Sequence, residues 1–123
     1  MKIALPFLLL AMTSVASAAD IGPCNTSAMR IEMAATLRLA AEERPVNITF
    51  RTKAEGVRVP SYLLTKYPEE MSIVLQYEFA QLNVRDDRFD VVLRFKGHPE
   101  RLVVPFNAIK ALYDKTDLKC SAD

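Results

Sequence analysis

Met71-Ser-Ile-Val-Leu-Gln-Tyr-Glu-Phe79, followed by Leu82-Asn-Val-Arg-Asp-Asp-Arg-Phe-Asp-Val-Val-Leu-Arg-Phe95, is the stretch that decides the fold class. In its first part Ile73, Leu75, Tyr77 and Phe79 alternate with Ser72, Val74, Gln76 and Glu78, the period-two pattern of a strand with one dry and one wet face. In its second part, residues 82–85 and 88–95 flank Asp86-Asp87, a tight-turn pair. That arrangement predicts a hairpin whose inner face carries Phe89, Val91, Leu93 and Phe95.

The same period appears upstream, where Val46, Ile48 and Phe50 alternate with Asn47, Thr49 and Arg51. Gly56 opens a short strand over 56–59 that Pro60 stops. Residues 60–70, with Tyr62, Leu63, Leu64, Tyr67 and Pro68, read as a packed loop or short helix. Lys96-Gly97-His98-Pro99 is a second turn, leading into a strand over 100–104. Helices frame these strands. Residues 28–43 are rich in Ala, Leu, Met and Glu, follow the N-cap oxygens of Asn25, Thr26 and Ser27, and are ended by Pro45. Pro105 suits the first position of a closing helix to which Phe106, Ile109, Ala111, Leu112 and Tyr113 bring apolar contacts.

The first helix carries two apolar stripes, Met29, Met33, Leu37 and Ala40 on one side and Ala28, Ile31, Ala35 and Leu39 on the other. One stripe packs on the domain's own sheet; the other predicts either a homodimer through helix 28–43 or a helix buried on both sides. The expected fold class is α+β, mainly β: a small, strongly bent antiparallel sheet or partly closed barrel, about residues 46–114, with an N-terminal helix and a short C-terminal helix.

Ahead of this single domain, taken as residues 19–123, the first eighteen residues read as a signal peptide. Lys2, an apolar run from residue 3 to 15 and Ala16-Ser17-Ala18 supply the charged start, hydrophobic stretch and small residues that export machinery needs. The alternative is a buried N-terminal helix. Cleavage after Ala18 removes one cation, leaving 15 basic against 15 acidic residues. Such a neutral domain has no broad electrostatic claim on nucleic acid or on an anionic membrane. The two cysteines, Cys24 and Cys120, stand near the two ends of the exported domain. In an oxidising periplasmic or secreted setting a disulfide between them is the economical reading, with two unpaired thiols as the alternative. Closing so long a loop is worth roughly 4 to 5 kcal/mol on chain-entropy grounds.

No catalytic constellation is present. His98, the one histidine, sits beside Pro99 in a turn, and neither Ser61 nor Ser72 has a nucleophile-elbow context. Asp86, Asp87 and Asp90 lack the spacing and terminal Glu of a calcium loop. No enzyme activity, metal or cofactor is expected.

The strings Ile48-Thr-Phe-Arg-Thr-Lys-Ala-Glu-Gly-Val-Arg-Val-Pro60, Tyr67-Pro-Glu-Glu-Met-Ser-Ile-Val-Leu-Gln76 and Phe95-Lys-Gly-His-Pro-Glu-Arg-Leu-Val-Val-Pro-Phe106 resemble SspB of the alphaproteobacterial type. The resemblance runs from about residue 46 to residue 114. It implies an Sm-like barrel, a dimer formed through the N-terminal helix, and a peptide clamp that holds the ssrA degradation tag and delivers tagged proteins to the ClpX unfoldase. By that resemblance the peptide-binding residues are Gln76, matching the glutamine of the family's strand motif, Tyr77 beside it, and Val92 and Arg94 on the groove floor. A glutamine amide can donate to and accept from a peptide bond. Other roles stay open: Gln76 as a solvated strand residue, Val92 as a contact under the first helix, Arg94 as a surface cation.

The chain departs from the family pattern at three places: Tyr77 stands where histidine is usual, Phe79-Ala80-Gln81 where Phe-Trp-Asp is usual, and Lys96 where the first glycine of a Gly-Gly turn is common. It also ends at Asp123, ahead of any long tail with the basic-hydrophobic motif by which the family docks on ClpX. The leading expectation is an exported SspB-like domain, stapled by Cys24 and Cys120, that binds unstructured peptide or tagged protein without ClpX docking. The alternatives are a cytosolic ClpXP adaptor and a secreted interaction protein without a working groove.

Overall fold

Thr26 starts the first helix by accepting a 3.1 Å hydrogen bond from Met29 N, the capping role its side-chain oxygen suits. A computed structural model describes residues 21–122, so the expected signal peptide, residues 1–18, lies outside the described residues. Helix α1 runs Ser27–Arg38 and is followed by β1 (Val46–Arg51), α2 (Ser61–Lys66), β2 (Glu70–Leu75), β3 (Phe79–Val84), β4 (Arg88–Phe95) and β5 (His98–Pro105). A 3-10 turn, Phe106–Ala108, then leads into β6 (Ile109–Asp114) and β7 (Asp117–Ser121). The strands form two antiparallel sheets, ordered β2-β1-β6-β7 and β3-β4-β5.

The expected class, α+β and mainly β, holds. The barrel does not close, however, and the bent sheet is two sheets with a shared core. Alternation fills that core as the sequence reading requires: Val46, Ile48 and Phe50 from β1, Ile73 and Leu75 from β2, and Phe89, Val91 and Leu93 from β4 are buried. One stripe of α1 closes the core, with Met33 and Leu37 fully buried. The opposite stripe is open in the single chain: Ile31 is 74 % exposed and Leu39 52 %.

Four elements differ from expectation, each because tertiary pairing overrides a local signal. The first helix ends at Arg38, not at residue 43, because Ala41 and Arg44 exchange hydrogen bonds of 3.1 and 3.0 Å in a tight turn that returns the chain toward β1. Pro45 reinforces this stop by disfavouring helix at Arg44. The strand expected over 71–79 breaks after Leu75. That residue pairs with Val46, the first residue of β1, so the partner strand runs out there. Gln76, Tyr77 and Glu78 form a bend, and Tyr77, expected to face inward, is 66 % exposed. The strand expected over 56–59 reduces to a single bridge, Arg58 with Val103, whose two hydrogen bonds cover part of the outer edge of β5. Finally, the short C-terminal helix is absent. Only Phe106–Ala108 turns helically, and Ile109–Asp114 pairs with β1 as a strand. Buried pairing of Ile109 and Leu112 outweighs the helix-start signal of Pro105.

Cys24 and Cys120 are joined, with Cα atoms 5.0 Å apart and a sequence separation of 96. Both are fully buried, and the bridge ties the entry to α1 onto β7. A second tie lies between Arg44 and Asp114, whose side chains pair at 2.6 Å and 3.1 Å. The hydrogen bond from Arg44 holds the Asp114 carboxyl below the ordinary carboxylate range, against a smaller upward push from desolvation. A depressed folded-state value means the pair stabilises the fold above the ordinary carboxylate range, and the contribution disappears as pH falls through the folded value. Asp114→Asn is therefore expected to lower the melting temperature at neutral pH and to flatten its decline on acidification, read by circular dichroism from pH 7 to pH 3. An unchanged slope would assign the acid sensitivity to other carboxylates.

Candidate functional site

A sheet edge offers hydrogen bonds only where its main-chain groups face away from the partner strand. For β2 the phase is set by Thr52 N, which donates to Glu69 O at 3.1 Å, one step beyond the ladder that pairs Arg51 with Glu70. Alternation from that pair directs the main-chain groups of Met71, Ile73 and Leu75 toward β1 and those of Ser72 and Val74 toward the open side. β2 is the first strand of its sheet, so among the described residues these groups have no strand partner. Other sheet margins are partly covered. Arg38 Nη2 donates to Val84 O at the margin of β3, Arg58 bridges to β5, and Ser121 N of β7 donates to Gly22 O.

The second opening is at the end of β4. Arg85 N donates to Arg88 O at 2.8 Å, and counting along β4 from that pair aims the main-chain groups of Arg94 at the side occupied by β3. β3 begins only at Phe79, opposite Leu93, so Arg94 lies past its end. The irregularity at Gln81, where φ is +50°, belongs to β3 and leaves the continuous β4–β5 register untouched.

Between these two openings lies a groove of about 470 Å³ with Ser72, Val74, Gln76, Tyr77, Glu78 and Arg94 on its walls. It is more apolar than polar in character: Tyr77 and Val74, 66 % and 46 % exposed, face it beside one carboxylate and one guanidinium. The Gln76 amide donates to Glu42 O at 3.0 Å and so fastens the bend to the loop after α1. Arg94 Nη1 donates to Gly97 O at 3.0 Å, which fixes its guanidinium against the β4–β5 turn. That turn requires Gly97 and Lys96 at positive φ, +83° and +53°, a conformation glycine adopts without strain.

Three of the four residues named by the sequence reading, Gln76, Tyr77 and Arg94, thus line one groove. Val92 stands apart. It is half-buried on the outer face of the second sheet, opposite Ala80 on one side and Arg101 on the other. Ser72, Val74 and Glu78 are additions made by the structure; their only sequence signal was their outward phase in the alternation. Among the described residues no group of three or more His, Cys, Asp or Glu side chains is placed to hold a metal ion. Asp87 and Asp90 instead pair with Arg88 and Arg101 at 3.0 and 2.9 Å.

A family model described as SspB, Stringent starvation protein B, matches residues 23–118. No curated protein matches the chain.

Proposed function

Because the chain belongs to the SspB family, we propose that it is a peptide clamp, holding unstructured peptide or tagged protein, ssrA-type tags included, in the groove between β2 and β4. One observation carries the reading: the outward main-chain groups of Ser72 and Val74 on β2 and those of Arg94 on β4, which face no strand among the described residues, flank the same groove. An extended peptide laid there gains main-chain hydrogen bonds from the β2 edge, while its alternate side chains meet Tyr77 and Val74 or the Arg94 and Glu78 charges. Gln76 acts in this reading mainly by holding the bend in place, since its amide already donates to Glu42.

The clamp works outside the cytoplasm in this proposal. The Cys24–Cys120 disulfide is compatible with an oxidising compartment. ClpX is cytosolic, so peptides bound after export are not passed to it, and the domain retains the binding half of the family's adaptor activity.

The test is fluorescence anisotropy with a labelled ssrA-type peptide and a scrambled control. Micromolar or tighter binding of the tag, with the scrambled peptide at least about tenfold weaker, is the expected result. Equal, millimolar binding of both would leave the groove without a peptide function. Intact mass of the protein from its host separates the compartments: loss of residues 1–18 with no free thiol supports export, and a full-length mass with two free thiols restores the cytosolic adaptor.

A further inference from the structure

The groove between β2 and β4 does not stop at the sheet edge. Ser72 lines it and also lines a depression of about 490 Å³ on the outer face of the first sheet, floored by Asn47 and Thr49 of β1 and bounded by Tyr113 and Lys115. Strand register makes the surface continuous. Val74 stands opposite Asn47, and Asn47 opposite Tyr113, so their side chains form one row across β2, β1 and β6. Val74 and Tyr113 are 46 % and 38 % exposed, and Tyr77 shares the groove wall with Val74. An apolar band thus runs from the groove onto the sheet face, with the Asn47 amide in its middle. These residues alternate with the buried Ile48, Ile73 and Leu112 and so point away from the core that α1 closes. A dimer formed through that helix does not require this face.

The polar groups of the depression are fixed but not all engaged. The Thr49 and Ser72 hydroxyls bond each other at 2.7 Å. Lys115 N donates to Pro45 O at 2.9 Å, which holds the β6–β7 turn beside the start of β1. The Asn47 amide and the Lys115 ammonium, by contrast, make no hydrogen bond or ion pair among the described residues. Asp114, next to Lys115, is taken by Arg44 at 2.6 Å. We propose that this face binds the continuation of the clamped peptide, a flanking segment with an aromatic residue beside a carboxylate; the inference rests on the clamp itself. From β2 to β6 is two strand spacings, about 10 Å, which about three extended residues span. A chain leaving the edge at Ser72 therefore brings its third or fourth residue over the Tyr113 ring, where a second aromatic ring packs favourably. On the way the Asn47 amide donates to and accepts from a peptide group, and the Lys115 ammonium meets the carboxylate. The ligand is then a strand-forming segment with an aromatic-acidic flank, longer than the groove alone holds.

Fluorescence anisotropy compares the labelled ssrA-type tag alone with the tag extended, at one end or the other, by three glycines, a phenylalanine and a glutamate counted outward. The control extension is three glycines and two serines. At one end the Phe-Glu extension is expected to bind about fivefold to tenfold more tightly than its control. Tyr113→Ser and Lys115→Gln, both at exposed positions, are each expected to reduce that gain at least about twofold and to leave binding of the unextended tag unchanged. Tag binding with no gain at either end overturns this inference and leaves the clamp standing; absence of any tag binding overturns both. A gain that both variants retain in full also overturns it, by placing the flank elsewhere. So does a dimer in sedimentation that Tyr113→Ser dissociates, which assigns the face to a second copy of the chain.

Discussion

Replacing Cys24 and Cys120 together by alanine is expected to lower the unfolding free energy by about 4 to 5 kcal/mol, the largest single effect the structure predicts. The bridge closes 96 residues of sequence separation, nearly the whole described domain. A cross-link over so long a loop removes about the maximum of unfolded-chain entropy that a single disulfide can remove. Native contacts add to the effect. Both sulfurs are fully buried, and Cys120 Sγ lies 3.8 Å from Met33 Sδ, so the bridge holds α1 against β7 in the core. Ser121 N to Gly22 O, a neighbouring bond between the same two segments, loses its anchor when the bridge goes. For a domain of this size the change corresponds to roughly 15 to 30 °C in melting temperature. Thermal unfolding of the double variant, beside the native chain with and without reductant, reads it directly. A fall of only a few degrees would mean that α1 is held by Met33 and Leu37 alone and that the unfolded chain is already compact.

The second large effect is a contrast between neighbouring positions of β2. Val74→Pro is expected to leave the fold intact and to weaken peptide binding about tenfold or more. Ile73→Pro is expected to unfold the sheet. Proline lacks an N–H, so it is tolerated in a strand only where that N–H faces no partner. Val74 N–H faces the open edge and Ile73 N–H faces β1, by the alternation that the Thr52–Glu69 bond sets. Losing one main-chain hydrogen bond to a ligand accounts for about tenfold at most, and the proline ring in the edge adds steric exclusion. Circular dichroism and peptide anisotropy on both variants decide the matter. Retained binding by a folded Val74→Pro would move the peptide off the β2 edge. Unfolding of that variant would reverse the assigned phase of the strand.

Much of this was legible in the residues. Strict alternation in 46–51, 71–75 and 88–95 specified both the strands and their inward faces, because burial against one core leaves a two-residue period no freedom of phase. Oxidising context and two cysteines near the ends were enough to suggest the bridge. Gln76 and Arg94 were named as site residues by resemblance, yet their local roles were not readable. Gln76 reaches Glu42, 34 residues earlier, and Arg94 reaches Gly97 across a turn. The bend at 76–78 left no mark either, since its alternation continues unbroken and contains neither glycine nor proline.

What the sequence by itself determined is therefore the class of the domain, its core residues and its family: each is written in periodicity, composition or continuous strings of residues. Tertiary structure alone decided where strands end and which edges stay open. Leu75 ends β2 because Val46 begins β1, and Ile109–Asp114 is a strand because β1 lies beside it. Strand pairing is a property of two segments distant in the chain, so no local pattern records it, and the groove between β2 and β4 exists only where those pairings run out.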